Sequence, residues 1–175
     1  MKIAINAAFF RPKDIGGSGV YLERLVPKLL EIDGDLEIIL FALPEALARF
    51  ADSPRLKKYP LPRSDRFHRR IYHEQVLIPR RSRALGAQAI LSAGTSGPLS
   101  SSLPHITVLH DLQHLHYPQY FGLKTRAFRR TFWEGAMKRA DAVIAISEFT
   151  KDDLTNEVGI DAGKIHVIHH GAKIA

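Results

Sequence analysis

Short apolar runs that alternate with helix-periodic segments constrain this sequence more than any other feature. The runs fall at residues 2–6, 36–42, 88–92, 106–110, 142–146 and 165–168, with a weaker one at 56–61. Between them the apolar residues recur at helical spacing. Leu22, Leu25, Val26, Leu29 and Leu30 do so within 19–32, and Phe128, Phe132, Ala136, Met137 and Ala140 form one stripe of a helix beginning near residue 123. Strand and helix in strict alternation predict an α/β domain: a doubly wound, mostly parallel sheet of about seven strands with helices on both faces.

The punctuation agrees. Pro44 opens a helix over 44–50, since its missing N–H had no partner in the first turn. Ser64 is placed to cap a helix that runs to about Ile78, where Pro79 should stop it. Ser147 caps the last helix, with Glu148, Asp152 and Asp153 in or near its first turn, and Gly159 ends it. Pro27 is a misfit inside the first helix, at a cost of about 3 kcal/mol that packing must offset. The stretch 92–104, "SAGTSGPLSSSLP", reads as an exposed loop between two strands.

At 175 residues the prior is a single domain, able to bury a core without a disulfide or metal staple. No cysteine is present, which removes disulfide frameworks, thiol catalysis and cysteine-ligated zinc. "MKIAIN" leads straight into a strand and lacks a signal-peptide core, and no window approaches the roughly 18 apolar residues of a membrane span, so a cytoplasmic protein is expected. The formal charge of +7 favours anionic partners. It is concentrated: seven arginines against two acids lie between Pro62 and Arg83, and six basic residues against Glu134 between Lys124 and Arg139. No basic-aromatic platform or recognition-helix pattern accompanies them, so no nucleic-acid partner is expected.

Three stretches carry chemistry. The first, "FFRPKDIGGSGVY", places Gly16, Gly17 and Gly19 just ahead of the first helix. It is not a dinucleotide fingerprint: about ten residues separate Asn6 from Gly16, Leu22 stands where the third glycine belongs, and "LEIILFAL" ends without an acid. A Walker loop is excluded because no Gly-Lys-Ser/Thr follows. Open amides at a helix N-terminus still suit an anion, and a glycine-rich loop passing beneath other structure is the plain alternative. The second, "ITVLHDLQHLHYP", puts His110 and Asp111 where a strand ends, the place where open α/β sheets bind ligands. The plain alternative for His110 is a satisfied core histidine, which its strand-end position disfavours, whereas His114 and His116 read as wet loop residues and lack the spacing of a helical zinc motif. The third, "ADAVIAISEFTKDDL", sets Ser147 at another strand end, where capping alone would explain it.

Taken in order, the early Gly-Gly loop, the strand-end His-Asp, "ADAVIAIS-F-T" and "I-VI-HG" resemble the N-terminal half of a retaining glycosyltransferase of the group 1 type, glycosyltransferase family 4, with the GT-B fold. "EQ-LIP" at 74–79 fits the same family, and the resemblance runs from Met1 to Gly171. It implies that 1–171 form the Rossmann-like, acceptor-side half of a GT-B enzyme and that 172–175 begin a linker. A donor-binding domain would then follow that is absent from this chain, and the isolated half would be inactive. Gly16 and Gly17 would bring amides to the donor diphosphate or sugar, and His110 would touch the sugar near the reacting centre. Asp111 would shape that loop, and Ser147 would lie beside the cleft. The implied partners are a nucleotide-sugar donor and a glycan or lipid-linked acceptor, with no cofactor and no metal. Arg66, Arg69, Arg70, Arg126 and Arg130 would form basic patches on the acceptor side or against the inner membrane face. The alternative from another class is a free-standing, non-catalytic module that binds a glycan or an anion.

Overall fold

The computed structural model describes residues 1–12, 16–62 and 67–171. Seven strands form one sheet in the order β3-β2-β1-β4-β5-β6-β7: β1 (Lys2–Asn6), β2 (Glu37–Ala42), β3 (Leu56–Pro60), β4 (Ala89–Ser92), β5 (His105–Leu109), β6 (Ala142–Ala145) and β7 (Ile165–Val167). Every adjacent pair is parallel. All seven predicted strands are present, and the sheet is wholly rather than mostly parallel. From β1 the chain winds outward through β2 to β3, then returns and winds the other way from β4 to β7. Because crossovers are right-handed, that reversal sends the helices of the two halves to opposite faces. It also opens a crevice beyond the carboxyl ends of β1 and β4, where the order switches.

The core follows the apolar pattern. Helix α1 (Gly17–Ile32) buries Leu22, Val26 and Leu30, and the sheet residues Ile5, Ile38, Leu40, Phe41 and Ile90 are fully enclosed. Pro27 lies inside α1 on its exposed side, where solvent can satisfy the carbonyl freed by the missing N–H. A second cluster joins Leu109, Met137, Val143, Leu154 and Ile165 beneath the β5–β7 half. Helix α2 (Pro44–Leu47) is one turn shorter than its apolar pattern suggested.

Two expectations are corrected. Pro79 does not end the helix that precedes it. Helix α3 continues over 67–84, with a π turn at His73–Leu77 immediately before the proline. The widened turn takes up the clash a proline ring makes with the carbonyl four residues back. The proposed Ser64 cap lies outside the described residues. The segment after β4 is not an exposed loop either: Ala93, Thr95, Ser96 and Gly97 are buried, and the chain surfaces only around Ser100. Side chains of α3 satisfy its polar groups, as described below.

After β5 come a short helix α4 (Gln113–His116), α5 over 123–139 with its own π turn at Arg129–Glu134, and α6 over 148–158. Gly159 closes α6 in the left-handed conformation, φ 74°, as its place after the last turn predicted. Among the described residues no helix is long and apolar enough to cross a membrane.

Candidate functional site

A cavity of about 480 Å³ opens at the switch point and is lined by Phe9, Gly17, Ser18, Arg70, Gly94, Thr95, His110, Asp111, Trp133, Ile146 and His170. Its wall is built from strand ends. Asn6 ends β1, and its side chain bridges to β4 and the loop beyond, donating to Ser92 Oγ and to the Ser96 carbonyl, each at 3.4 Å. Its Oδ1 accepts the Ala8 amide at 3.1 Å, which turns the chain away from the sheet. The Phe9 ring then packs against Gly94, where an added Cβ would overlap it. That is why the position holds glycine.

Thr95 is a β-branched residue at φ 68°, a conformation that costs about 1–3 kcal/mol and persists only where its surroundings over-determine it. The surroundings do so. The Thr95 amide donates to the Val108 carbonyl at 3.1 Å, and Ser96 is fixed from three sides. Arg70 Nη2 donates to Ser96 Oγ at 2.7 Å, Ser96 Oγ donates to Glu74 Oε1 at 2.9 Å, and Arg70 Nε donates to the same carboxylate oxygen at 2.9 Å. Glu74 is only 2% exposed, so its charge is tolerable because Arg70 neutralises it within a closed triangle.

His110 stands one residue past β5, half-buried in this wall. Its Nε2 lies 2.9 Å from the Ala93 carbonyl. A carbonyl can only accept, so Nε2 carries the proton and Nδ1 keeps the lone pair. Burial pushes the imidazole below its ordinary value, against weaker opposing effects of the Ala93 hydrogen bond and Asp111, so the ring is neutral at pH 7. Tyr21 of α1 and His170, beyond β7, stack at 4.7 Å between centroids, and His110 meets both edge-on at 5.4 and 5.3 Å. Three distant segments thus converge on one histidine. Asp111 is exposed, and its Oδ1 accepts the Gln113 amide at 3.2 Å, so it shapes the turn that leaves the strand.

Gly17 and Ser18 line the same cavity at the start of α1. Gly16 occupies the cap position, no side chain caps the helix, and its first turn contains no acid. The first amides of a helix have no partner within it, and among the described residues none is recorded for those of Gly17 and Ser18, which line the cavity. An added Cβ on Gly16 or Gly17 would meet nothing within 4 Å. Packing therefore does not require either glycine.

The structure divides the other candidates. Ser147 caps α6, accepting the Thr150 amide at 3.1 Å, and lines an adjoining hollow of about 560 Å³ that shares His110 and Asp111 with the first. Arg70 turns into the cleft, whereas Arg69, one residue earlier, is exposed. Arg126 and Arg130 border a separate hollow of about 580 Å³ with His114 and Glu134. Arg66 lies outside the described residues, as do 172–175. His116 pairs with Asp153 at 2.7 Å and His114 faces Glu134 at 3.6 Å. Among the described residues no three metal-ligating side chains cluster.

A family model, Glycosyltransferase Family 4, matches residues 15–175. The chain belongs to glycosyltransferase family 4. No curated protein sequence matches it. Solved structures give the fold of this family 4 chain its context. A glycosyltransferase from Rickettsia africae ESF-5 superposes with a TM-score of 0.60 at 17% identity, over 96% of this chain and 42% of that one. The lipopolysaccharide outer core galactosyltransferase WaaB gives 0.61 at 15% identity, over 100% and 47%. The UDP-GlcNAc 2-epimerase from Neisseria meningitidis, solved with UDP-GlcNAc, gives 0.61 at 13%, over 95% and 45%. The chain thus spans less than half the length of each, and its fold is that of one half of a GT-B enzyme.

Sequence reasoning missed Asn6, Tyr21, Ser96 and His170 in the wall. Asn6 left a signal as a polar residue closing an apolar run, and His170 lies in the "I-VI-HG" motif without having been given a role in the site.

Proposed function

We propose that the full-length protein is a retaining glycosyltransferase that moves a hexose from a nucleotide sugar to a glycan or lipid-linked acceptor. In this reading the chain is the N-terminal, acceptor-side half, 172–175 begin the linker, and a donor-binding half completes the cleft. The observation that carries the reading is His110, neutral and fixed in one tautomer at a strand end, in the same cavity as the open amides of α1. In such a transfer, charge builds on the departing diphosphate while the sugar turns oxocarbenium-like, so preorganised dipoles are worth more than movable charges. The Gly17 and Ser18 amides would face the anionic side of that process. His110 Nδ1, with its lone pair free of any hydrogen bond among the described residues, would accept from a sugar hydroxyl. Retention through a covalent intermediate would need a carboxylate nucleophile in reach. Glu74 is consumed by Arg70 and Ser96, and Asp111 holds a turn, so reaction on one face of the sugar is the reading favoured here.

The basic residues suit a polar-lipid or polysaccharide acceptor handled at the cytoplasmic side of a membrane. Tyr117, Tyr120 and Leu123 are exposed close in sequence to Arg126 and Arg130. No metal or cofactor is assigned a part.

The test is a screen of the full-length protein against uridine, guanosine and adenosine diphosphate sugars, reading nucleoside diphosphate release with and without EDTA. Release should survive the chelator, and His110→Ala should lower kcat/KM by about 100-fold, the scale of one lost transition-state contact. Wild-type turnover in that variant would refute the role given to His110.

A further inference from the structure

The pair Glu74–Gln75 has no part in the reaction above, yet both side chains hydrogen-bond to the loop after β4. Gln75 Nε2 donates to the Gly97 carbonyl at 2.8 Å, and Gln75 Oε1 accepts the Leu99 amide at 2.8 Å. One side-chain amide thus takes the place of a strand neighbour, pairing with an acceptor and a donor two residues apart. Glu74, its neighbour, holds Ser96 Oγ at 2.9 Å. In a regular α-helix consecutive side chains diverge by about 100°, which would aim only one of them at the loop. These two sit in the π turn His73–Leu77, a feature that recurs at functional sites.

What the clasp holds matters because of where it lies. The β4 ladder ends at Ser92, and Ala93 is the first residue beyond its paired positions. That carbonyl fixes His110. Its direction therefore depends on the anchors around it: the Ala93 amide on the Asn6 carbonyl and the Thr95 amide on the Val108 carbonyl hold the near end, and Glu74 and Gln75 hold the far end at Ser96, Gly97 and Leu99.

We propose that Glu74 and Gln75 are positioning residues: by clasping the loop after β4 they orient the Ala93 carbonyl, which selects the Nε2-protonated tautomer of His110 and aims its Nδ1 into the cleft. The catalytic consequence rests on the role given to His110 above; the tautomer does not.

The experiment uses the full-length protein labelled with ¹⁵N at histidine. Two variants are compared with wild type: Gln75→Met, of similar shape without hydrogen bonds, and Gln75→Glu, which sets a carboxylate against the Gly97 carbonyl but keeps the acceptor for Leu99. The second serves if the first does not fold. At neutral pH the wild-type His110 ring should show one protonated and one lone-pair nitrogen, well separated in shift. In the variants the two shifts should move toward each other as the tautomers mix. With any nucleotide sugar that turns over, kcat should fall by about 10- to 100-fold with KM changed less than about threefold, the pattern of misplacement. On a His110→Ala background the same change should cost less than about twofold, because residues acting as a unit are not additive. Unchanged His110 shifts, or losses that simply multiply, overturn the proposal. If His110→Ala leaves turnover intact, the catalytic role of His110 fails, and the tautomer measurement still decides the clasp.

Discussion

His105 offers the sharpest prediction about the fold. It opens β5 and is 3% exposed, with Nε2 3.0 Å from both Ser92 Oγ and Thr107 Oγ1. Its backbone amide donates to Asp141 Oδ2 at 2.8 Å, and Gly97 presses on the ring so closely that a Cβ there would lie 2.4 Å from Nε2. Nδ1 is buried and has no hydrogen-bond partner among the described residues. Burial pushes the imidazole down to about 4, against the opposing pull of Asp141. The folded ring is therefore neutral where the unfolded ring, with its ordinary value of about 6.5, already takes up a proton. Between these two values the unfolded state binds more protons, so stability rises with pH through the window and is lost as pH falls from about 6.5 toward 4. At about 1.4 kcal/mol per unit, the loss approaches roughly 3 kcal/mol at the acid end. Other histidines with depressed values add their own slopes, so the measurement is a comparison of urea unfolding for wild type and His105→Gln between about pH 7.5 and 4.5. At the neutral end the variant should be less stable by about 1–2 kcal/mol for its disturbed network. The gap should close and reverse at the acid end, because glutamine does not titrate. Parallel pH curves for the two proteins would refute the reasoning.

Gly97→Ala should destabilise by about 1–3 kcal/mol in the same assay at neutral pH, the cost of overpacking a methyl against His105. Ser147→Ala should cost about 1 kcal/mol by losing the cap on α6, while Ser147→Asp should hold stability within a few tenths, read as a shift in urea midpoint. Asp111→Asn should keep nucleotide-sugar turnover within about threefold, because asparagine can accept the Gln113 amide as aspartate does. A loss of several thousandfold would instead mark Asp111 as a nucleophile.

Legibility followed the range of the interactions. Each strand was visible because burial between neighbours demands a local run of apolar residues, and the winding followed from alternation. Gly159 and Ser147 were read correctly because capping is settled within one turn of chain. The failures share a cause. Pro79 was expected to end a helix because the rule assumes a regular turn, and the π turn at His73–Leu77 depends on contacts with a loop more than twenty residues on. The serine- and glycine-rich stretch after β4 was expected to be exposed because its composition is that of a loop; it is buried because Asn6, Glu74 and Gln75 supply its hydrogen bonds. A polar segment can be buried once its partners are found, and nothing local announces the partners.

The same wall limits what His110 can do. Its Nε2 proton is committed to the Ala93 carbonyl, so the ring has no second proton to give unless it becomes cationic, and burial opposes that. A general acid is thereby excluded at neutral pH. As a base the ring is weak, because a value below the ordinary one leaves little drive to take a proton from a sugar hydroxyl. In the proposed reaction what remains is orientation: a neutral acceptor held in fixed geometry and needing no reorganisation as charge develops. This assignment predicts an acid limb in the pH dependence of kcat/KM, with activity lost as pH falls below the ordinary histidine value and His110 takes on a proton. The loss should follow from the blocked lone pair, so the limb should vanish in His110→Gln, whose amide oxygen can still accept, at a residual rate above that of His110→Ala. An acid limb unchanged in His110→Gln would assign the titration to another group and leave His110 without this role.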